Sequence, residues 1–321
     1  MKFSCVIPCY NAAQWLSQTL DSIAQQTYPI HEIIVTDDGS TDKSLAILQD
    51  YQHQGIPLKI LTGGGLGPAG ARNLALEHCT GDWVAFLDAD DWWRPDHLQR
   101  IHDLVATTGD VVYLAAAEHF SINVNRIVSR SDAPFSEPRS QMDHFKYWEL
   151  YQQHGILELS SMAVKRDRLV EAGGFDATVR GAEDLELMMR VIIDHTWAYD
   201  PIPSSVYRCN NPESHSRKGI ANADCLVATL RTLIKLEQAY NIPFDELRNN
   251  ARTVVSKMIT DVDPSDRPWV KDLAWPYLSK KQKAIFSVAI AAPWLYGGLN
   301  QLRQKLKGQQ YRPRQVVPPA S

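Results

Sequence analysis

Val84-Ala85-Phe86-Leu87-Asp88-Ala89-Asp90-Asp91 decides the fold. Its first four residues form a run without a polar side chain, as a strand covered on both faces of a sheet requires, and three carboxylates follow at the carboxyl end. In open α/β sheets ligands bind at that end of the strands. Carboxylates crowded into one tight turn repel each other, and divalent Mg or Mn with phosphate oxygens is the usual occupant of such a cluster. The competing reading is a turn leading into a helix N-terminus, because WWRPDHL continues with Pro95 where a first helical turn can begin.

Upstream of this stretch, strand and helix patterns alternate. Phe3 to Pro8 reads as a strand, and Trp15, Leu16, Leu20 and Ile23 fall at helix spacing behind it. His31 to Thr36 is a second buried strand, ended by Asp37-Asp38-Gly39-Ser40-Thr41-Asp42, whose hydroxyl and carboxylate residues can cap the helix KSLAILQDY. Leu58 to Thr62 is a third strand, GGGLGPAG a glycine-rich loop, and Ala69 to His78 a third helix. Such alternation implies a parallel sheet with right-handed crossovers. Gly65-Leu66-Gly67-Pro68-Ala69-Gly70 formally matches the GxGxxG dinucleotide fingerprint, but it lies in the third strand-helix unit, and its ribose acid would belong to the carboxylate cluster. The loop also lacks the Gly-Lys-Ser/Thr ending of a P-loop.

Bulk properties narrow the class. A chain of 321 residues with 44% hydrophobic content can bury a sizeable core. A formal net charge of -4 argues against nucleic acid as a partner. Five cysteines with no CxxC pair fit reduced thiols in a cytosolic protein, and FSCVIPCY at the start reads as a structural strand, not a signal peptide.

Four segments in order, VIPCYN (Val6 to Asn11), EIIVTDDGSTD (Glu32 to Asp42), GARN (Gly70 to Asn73) and FLDADDWWRPDHL (Phe86 to Leu98), resemble the nucleotide-binding half of a family 2 glycosyltransferase with the GT-A fold. That resemblance implies an α/β fold with a mostly parallel sheet flanked by helices over residues 1–220, divided into a nucleotide-binding half (1–110) and an acceptor half (111–220). It also implies a nucleotide-sugar donor, foremost a UDP-sugar, and a divalent metal, Mn or Mg. By the same resemblance Pro8, Tyr10 and Asp38 surround the uracil or other base with Asp37 nearby, Arg72 approaches base or diphosphate, and Asp88, Ala89 and Asp90 form the DxD motif, whose two carboxylates hold ribose and metal. Cys9 stands where the family usually has Thr or Ser. The chemistry agrees, since a nucleotide needs an apolar wall, a carboxylate to accept base N–H groups and cations for its diphosphate. Singly, Tyr10 could be core, Asp38 a turn residue and Arg72 a solvated helix residue.

In the second half, Val111 to Ala117 reads as a strand and Glu118 to Arg130 as a strand pair. Phe145, Tyr147, Trp148 and Tyr151 either stack on an acceptor sugar or belong to the core. Ser160 to Val164 resembles the family's short strand under the active site, and KRDRLVEAGGFDATV a helix closed by Gly173-Gly174. Arg180 to Arg190 resembles the family's acidic motif at a helix start, with Asp184 as catalytic base; a helix N-terminus tolerates an anion there. Arg208, His215 and Arg217 resemble groups of a mobile segment that closes over the diphosphate, with His215 also a candidate metal ligand.

Residues 221–321 read as a helical extension with a polar, proline-rich tail. Ala284 to Leu299, the most apolar stretch, is flanked by Lys280, Lys281, Lys283, Arg303, Lys305 and Lys307. Its about sixteen residues fall short of the roughly twenty that span a bilayer, so it either lies in a membrane interface or packs as a core or oligomerisation helix. The combined expectation is a cytoplasmic enzyme, peripheral at the inner face of the membrane if that stretch docks there. It would move a sugar with inversion to a glycan or lipid-linked acceptor, in polysaccharide, glycolipid or cell-envelope glycan synthesis. A nucleotidyltransferase and a non-catalytic nucleotide-sugar binding module are the alternatives; the binding module would not need Asp184.

Overall fold

The computed structural model describes residues 1–54, 56–130, 134–154, 158–179, 183–209, 279–281, 283, 284 and 287. The chain divides into two compact units, Met1–Ala221 and Asn222–Ser321. In the first unit the elements run β1 (Phe3–Cys9), α1 (Leu16–Ala24), β2 (Glu32–Asp37), α2 (Ser44–His53), β3 (Leu58–Thr62), α3 (Gly67–Leu76), β4 (Trp83–Phe86), β5 (Trp92–Trp93) and α4 (His97–Val105). Then follow β6 (Val112–Ser121), β7 (Arg126–Arg130), β8 (Arg139–Met142), α5 (His144–His154), β9 (Ala163–Lys165), α6 (Arg166–Glu171), α7 (Glu183–Ile192) and β10 (Trp197–Cys209). In the second unit Lys283 N donates to Ser279 O at helical spacing. The helices expected downstream of 221, and all of 284–299 except residues 284 and 287, lie outside the described residues.

One sheet runs β3-β2-β1-β4-β9-β6-β10-β5, with β7 on β6 and β8 on β10. It is parallel through the first four strands, as the alternation of strands and helices predicts. Beyond them it is mixed: β9 is antiparallel to both β4 and β6, and β5 is antiparallel to β10. The mostly parallel sheet expected from the sequence therefore describes the nucleotide half, whereas short returns in the acceptor half reverse strand direction. Beside β1 the chain goes first to β2 and β3 on one side, then back to β4 on the other. The carboxyl ends of β1 and β4 thus flank the topological switch point where open α/β sheets bind ligands.

Packing follows the strand period of two. Phe3, Cys5, Ile7 and Cys9 of β1 join Ile33 and Val35 of β2 and Leu16, Leu20 and Ile23 of α1 in one core cluster. Each large apolar side chain fully buried there stabilises the fold by about 1.5–3 kcal/mol. Across the sheet α3 packs on β1 and β2 through buried Ala71 and Ala75, whose small side chains admit close approach. In the acceptor half the Tyr147 ring is buried, edge-on to Trp197 and stacked with Tyr151, so it belongs to the core; Phe145 is exposed. Strand β10 follows β6 in parallel with a register shift between Asp200 and Ser205, where Pro201 and Pro203 lack the N–H a ladder needs. No helix among the described residues is long and apolar enough to cross a membrane. Among the described residues Cys5, Cys9 and Cys79 are free, buried thiols.

Candidate active site

The turn after β4 is built by side chains from three distant elements. Thr19 of α1 places its hydroxyl 2.9 Å from the Ala89 carbonyl and 2.8 Å from that of Asp91. Ser160 accepts from the Asp88 N–H at 3.1 Å and donates to Asp91 Oδ2 at 2.6 Å. The Arg208 N–H donates to Asp91 Oδ1 at 2.8 Å, so the buried third carboxylate is turned inward as the anchor of the turn. Burial, then Asp90 and Asp88, raise its pKa well above the ordinary value. Asp88 and Asp90 are half-buried at the mouth of the turn. Ala89 between them is buried.

Arg72 joins this turn to the acceptor half. Its Nη2 donates to Asp88 Oδ1 at 2.7 Å and its Nη1 to Glu183 Oε1 at 3.2 Å, with only 6% of its side chain exposed. Burial works against the charged guanidinium, but Asp88, Glu183 and Asp184 outweigh it and hold its pKa above the usual value. Next to it, Asn73 holds the Phe175 backbone from both sides, donating to Phe175 O and accepting from Phe175 N, each at 2.8 Å. Gly174 is required here: it has φ +70°, and a Cβ would lie 2.6 Å from Asn73 Oδ1. Arg190 of α7 bonds to the carbonyls of Ala172 and Gly174, which ties α7 to the same loop.

Asp184 sits in the first turn of α7, half-buried, with Oδ1 accepting from the Leu185 N–H at 2.7 Å. Burial, followed by the neighbouring Glu183, pushes its pKa up to about 6 against the downward pulls of that N–H and of Arg72. A carboxyl poised there is mostly ionised at neutral pH yet basic enough to take a proton in a transition state. One guanidinium thus gathers Asp88 and Glu183, and with them Asp184, although they are far apart in sequence.

On the nucleotide side, Tyr10 is 59% exposed at the end of β1, an available apolar wall, and Pro8 beside it is half-buried. Asn11, at φ 49°, fixes the chain after Tyr10, because its N–H donates to Ser40 Oγ and its Oδ1 accepts from Thr41 N. The Asp38 carboxylate also organises the glycine-rich loop: Oδ1 accepts from Gly64 N, Gly65 N and Leu66 N, and Oδ2 accepts from Gly67 N with one lone pair left. Asp37 alternates with Asp38 onto the face of Ile33 and Val35; it is buried, and Oδ1 has no hydrogen-bond partner among the described residues.

Arg208 also differs from its expected place in a mobile segment. It lies on β10, 3% exposed, with Nε donating to Asp90 O and Nη2 to Gln18 Oε1, both at 2.7 Å. Its guanidinium stacks over Trp15, Trp92 and Phe120, with 4.0 Å to the Trp15 ring. The strand continues because Val206, Tyr207 and Arg208 pair with Glu118, His119 and Phe120 of β6. His215 and Arg217 lie outside the described residues, as do Arg180, Gly181 and Ala182.

No three His, Cys, Asp or Glu side chains among the described residues are grouped to hold a metal ion. The two half-buried carboxylates Asp88 and Asp90 nevertheless fit Mg or Mn. These ions keep several waters and are bound by one or two carboxylates together with substrate phosphates, so a complete protein cage is not needed. Thr19 and Ser160, which hold the turn, escaped the sequence reading as hydroxyl anchors: a threonine inside a helix and a serine before a short strand carry no pattern that names partners about seventy residues away.

The family model described as "Glycosyl transferase family 2" matches residues 4–171. The amylovoran biosynthesis glycosyltransferase AmsB of Erwinia amylovora is 31% identical over 197 residues, covering 59% of this chain and 64% of AmsB. The chain spans less than two thirds of the length of the curated relatives it matches. Among solved structures, TarS of S. aureus, residues 1–349 in complex with UDP-GlcNAc, superposes with a TM-score of 0.73 at 18% identity, covering 99% of this chain and 95% of that one. The mannosyltransferase PcManGT of Pyrobaculum calidifontis, in complex with GDP-Man and Mn2+, gives 0.59 at 19% identity, with 97% and 81% covered.

Proposed function

Since the chain belongs to glycosyl transferase family 2 and has the GT-A fold, we propose that it is an inverting glycosyltransferase that moves a sugar from a nucleotide-diphosphate donor to an acceptor hydroxyl. The observation that carries this reading is the Arg72 bridge, which brings the Asp88 carboxylate and the first turn of α7 with Asp184 into one charged cluster. In a single displacement Asp184 takes the acceptor hydroxyl proton as that oxygen bonds to the anomeric carbon, and the bond from that carbon to the diphosphate oxygen breaks on the opposite side. The poised pKa of Asp184 suits this step, and general-base help of this kind is worth about 10²- to 10⁴-fold. Pro8, Tyr10, Arg72, Asp88 and Ala89 line the donor side; Asp88 and Asp90 would hold Mn or Mg. When bound, that ion neutralises charge developing on the leaving diphosphate.

A UDP-sugar is the donor most in keeping with the neighbour bound to UDP-GlcNAc, while the neighbour bound to GDP-Man shows that the fold accepts purine donors too. The acceptor is a glycan or lipid-linked sugar, as suits a relative named for amylovoran biosynthesis and another named for a diphosphoundecaprenol acceptor. Thermal-shift titration of the full chain with UDP-Glc, UDP-GlcNAc and GDP-Man, each with and without MnCl2, tests the reading. A rise in Tm for at least one nucleotide sugar that needs MnCl2 is expected; no shift with any sugar nucleotide would remove it.

A further inference from the structure

We propose, resting on the glycosyltransferase reading above, that His119, Glu158 and Tyr207 form the acceptor subsite, and that it takes an uncharged sugar ring by its hydroxyls.

Adjacent parallel strands carry two of the three. His119 of β6 is the register partner of Tyr207 of β10, and their rings meet edge to face with centroids 6.0 Å apart. The residues on either side point the other way: Glu118 pairs with Arg94, while Phe120 and Arg208 pack with Trp92. Arg208 also lies on Trp15, just ahead of α1. Because strand side chains alternate, His119 and Tyr207 face away from α1, toward the side of the sheet that carries α3. From that side Arg72 reaches Asp88 and Glu183, so the two rings share a face with the helix turn that presents Asp184.

Glu158 completes the group. Its Oε1 lies 3.2 Å from His119 Nε2, and His119 Nδ1 lies 3.0 Å from Ser129 Oγ, which clamps the imidazole at both nitrogens. The backbone of Glu158 is fixed as well, because Ser161 N and Ser161 Oγ donate to its carbonyl at 2.8 and 2.7 Å. Its Oε2 has no partner among the described residues. The side chains of His119 and Glu158 are 25% and 23% exposed, so the carboxylate is open to a ligand yet partly withdrawn from water, where a hydrogen bond is stronger. Two residues on, Ser160 accepts from Asp88 N and donates to Asp91 Oδ2, which puts Glu158 beside the turn that faces the donor.

The three groups select their ligand. A carboxylate only accepts hydrogen bonds, so Oε2 suits a sugar hydroxyl and repels a phosphate or a uronate. The Tyr207 ring offers an apolar surface to the C–H face of a pyranose. Arg208, the cation at the next strand position, is turned to the opposite side of the sheet.

Transfer from UDP-Glc, UDP-GlcNAc and GDP-Man in MnCl2 is measured with the full chain against octyl glycosides of glucose, galactose, mannose, N-acetylglucosamine and glucuronic acid. Hydrolysis of each donor is followed without acceptor, and saturation-transfer NMR reads binding of the same glycosides, with and without UDP. The proteins are wild type, Glu158→Gln, Tyr207→Leu and Tyr207→Phe. Wild type should prefer a neutral glycoside over the glucuronide by about tenfold or more. Glu158→Gln and Tyr207→Leu should each raise the acceptor KM by about tenfold or more and weaken the NMR signal, the loss of one charge-assisted bond or one ring face. Donor KM and donor hydrolysis should stay within about twofold, and Tyr207→Phe, which keeps the ring, within about threefold of wild type throughout. An unchanged acceptor KM in Glu158→Gln overturns the proposal, as does a preference for the glucuronide or a wild type that hydrolyses a donor and binds no glycoside. So does a loss of donor hydrolysis as large as the acceptor effect, which would show that Glu158 only braces the Ser160 turn. A wild type that neither binds nor hydrolyses any nucleotide sugar removes the glycosyltransferase reading, while glycoside binding by NMR still decides whether these three residues hold a sugar.

Discussion

Replacing Asp184 with Asn separates catalysis from binding and from stability. The amide oxygen can still accept the Leu185 N–H, so the first turn of α7 is kept. What is lost is the base, and transfer should fall by about 10²- to 10⁴-fold. Donor affinity should stay within about threefold, because Asp184 has no hydrogen bond to Asp88, Asp90 or Arg72. Stability should move the other way. The native pKa of about 6 lies above the ordinary 3.8, so the native state binds this proton more tightly than the unfolded chain. Wild-type stability therefore declines as pH rises from about 4 to about 6, and the full cost persists above that. Two pKa units correspond to about 3 kcal/mol at most, and partial exposure of the side chain reduces this to about 1–2 kcal/mol. At pH 8 the variant should melt a few degrees higher, at about 2–4 °C per kcal/mol, and at pH 4 the two proteins should coincide. Steady-state transfer assays beside melts at the two pH values check both halves. Activity within about tenfold of wild type, or a variant less stable at pH 8, would refute the assignment of the base.

Arg72→Met leaves Asp88 and Glu183 without their shared cation; a loss of about 3–5 kcal/mol in urea unfolding is expected, with Arg72→Lys restoring only part because a point charge cannot span both carboxylates. Ser160→Ala removes the donor to buried Asp91 and the acceptor of Asp88 N–H, so it should cost about 1–3 kcal/mol and raise the donor KM more than it lowers kcat. EDTA should abolish transfer and MnCl2 or MgCl2 restore it, read in a coupled release assay for the nucleotide diphosphate. Burial and then Arg100 push the His97 pKa down to about 3, so the unfolded chain gains a proton that native His97 refuses, and stability is lost as pH falls from about 6.5. His97→Phe should flatten that acid slope, by up to about 1.4 kcal/mol per pH unit, in melts between pH 6.5 and 4.

What could be read from the sequence were features that depend on neighbours along the chain. The apolar run before Asp88 gave the strand, alternation gave the parallel half of the sheet, and the three carboxylates gave the turn. The third of them, Asp91, proved to be the buried anchor of that turn. Contacts made through space were not legible. Nothing in DDGSTD says that Asp38 will be met by four amides of a loop 26 to 29 residues later, or that Asp37 will face the other way. Arg208 resembled part of a mobile segment, yet it lies on β10, which resumes after a register shift between Asp200 and Ser205. The mixed acceptor half was hidden for a related reason: β9 is three residues long and owes its place to pairing with β4 and β6.

The adjacency of Arg72 and Asn73 explains why a short segment of α3 can matter to chemistry carried by other elements. Arg72 reaches 111 residues onward to Glu183, and Asn73 reaches 102 residues onward to Phe175. Both contacts land on the loop and helix that present Asp184, while the same guanidinium holds Asp88. The distance between the donor carboxylates and the base is therefore set across one helical turn, a stiffer link than a path through the sheet and loops. A displacement reaction needs nucleophile, anomeric carbon and leaving oxygen in line, and errors of about 1 Å in such alignment can cost about 10²-fold. A small change at Gly174, where a Cβ would strike Asn73, should thus disturb transfer without touching any group that meets substrate.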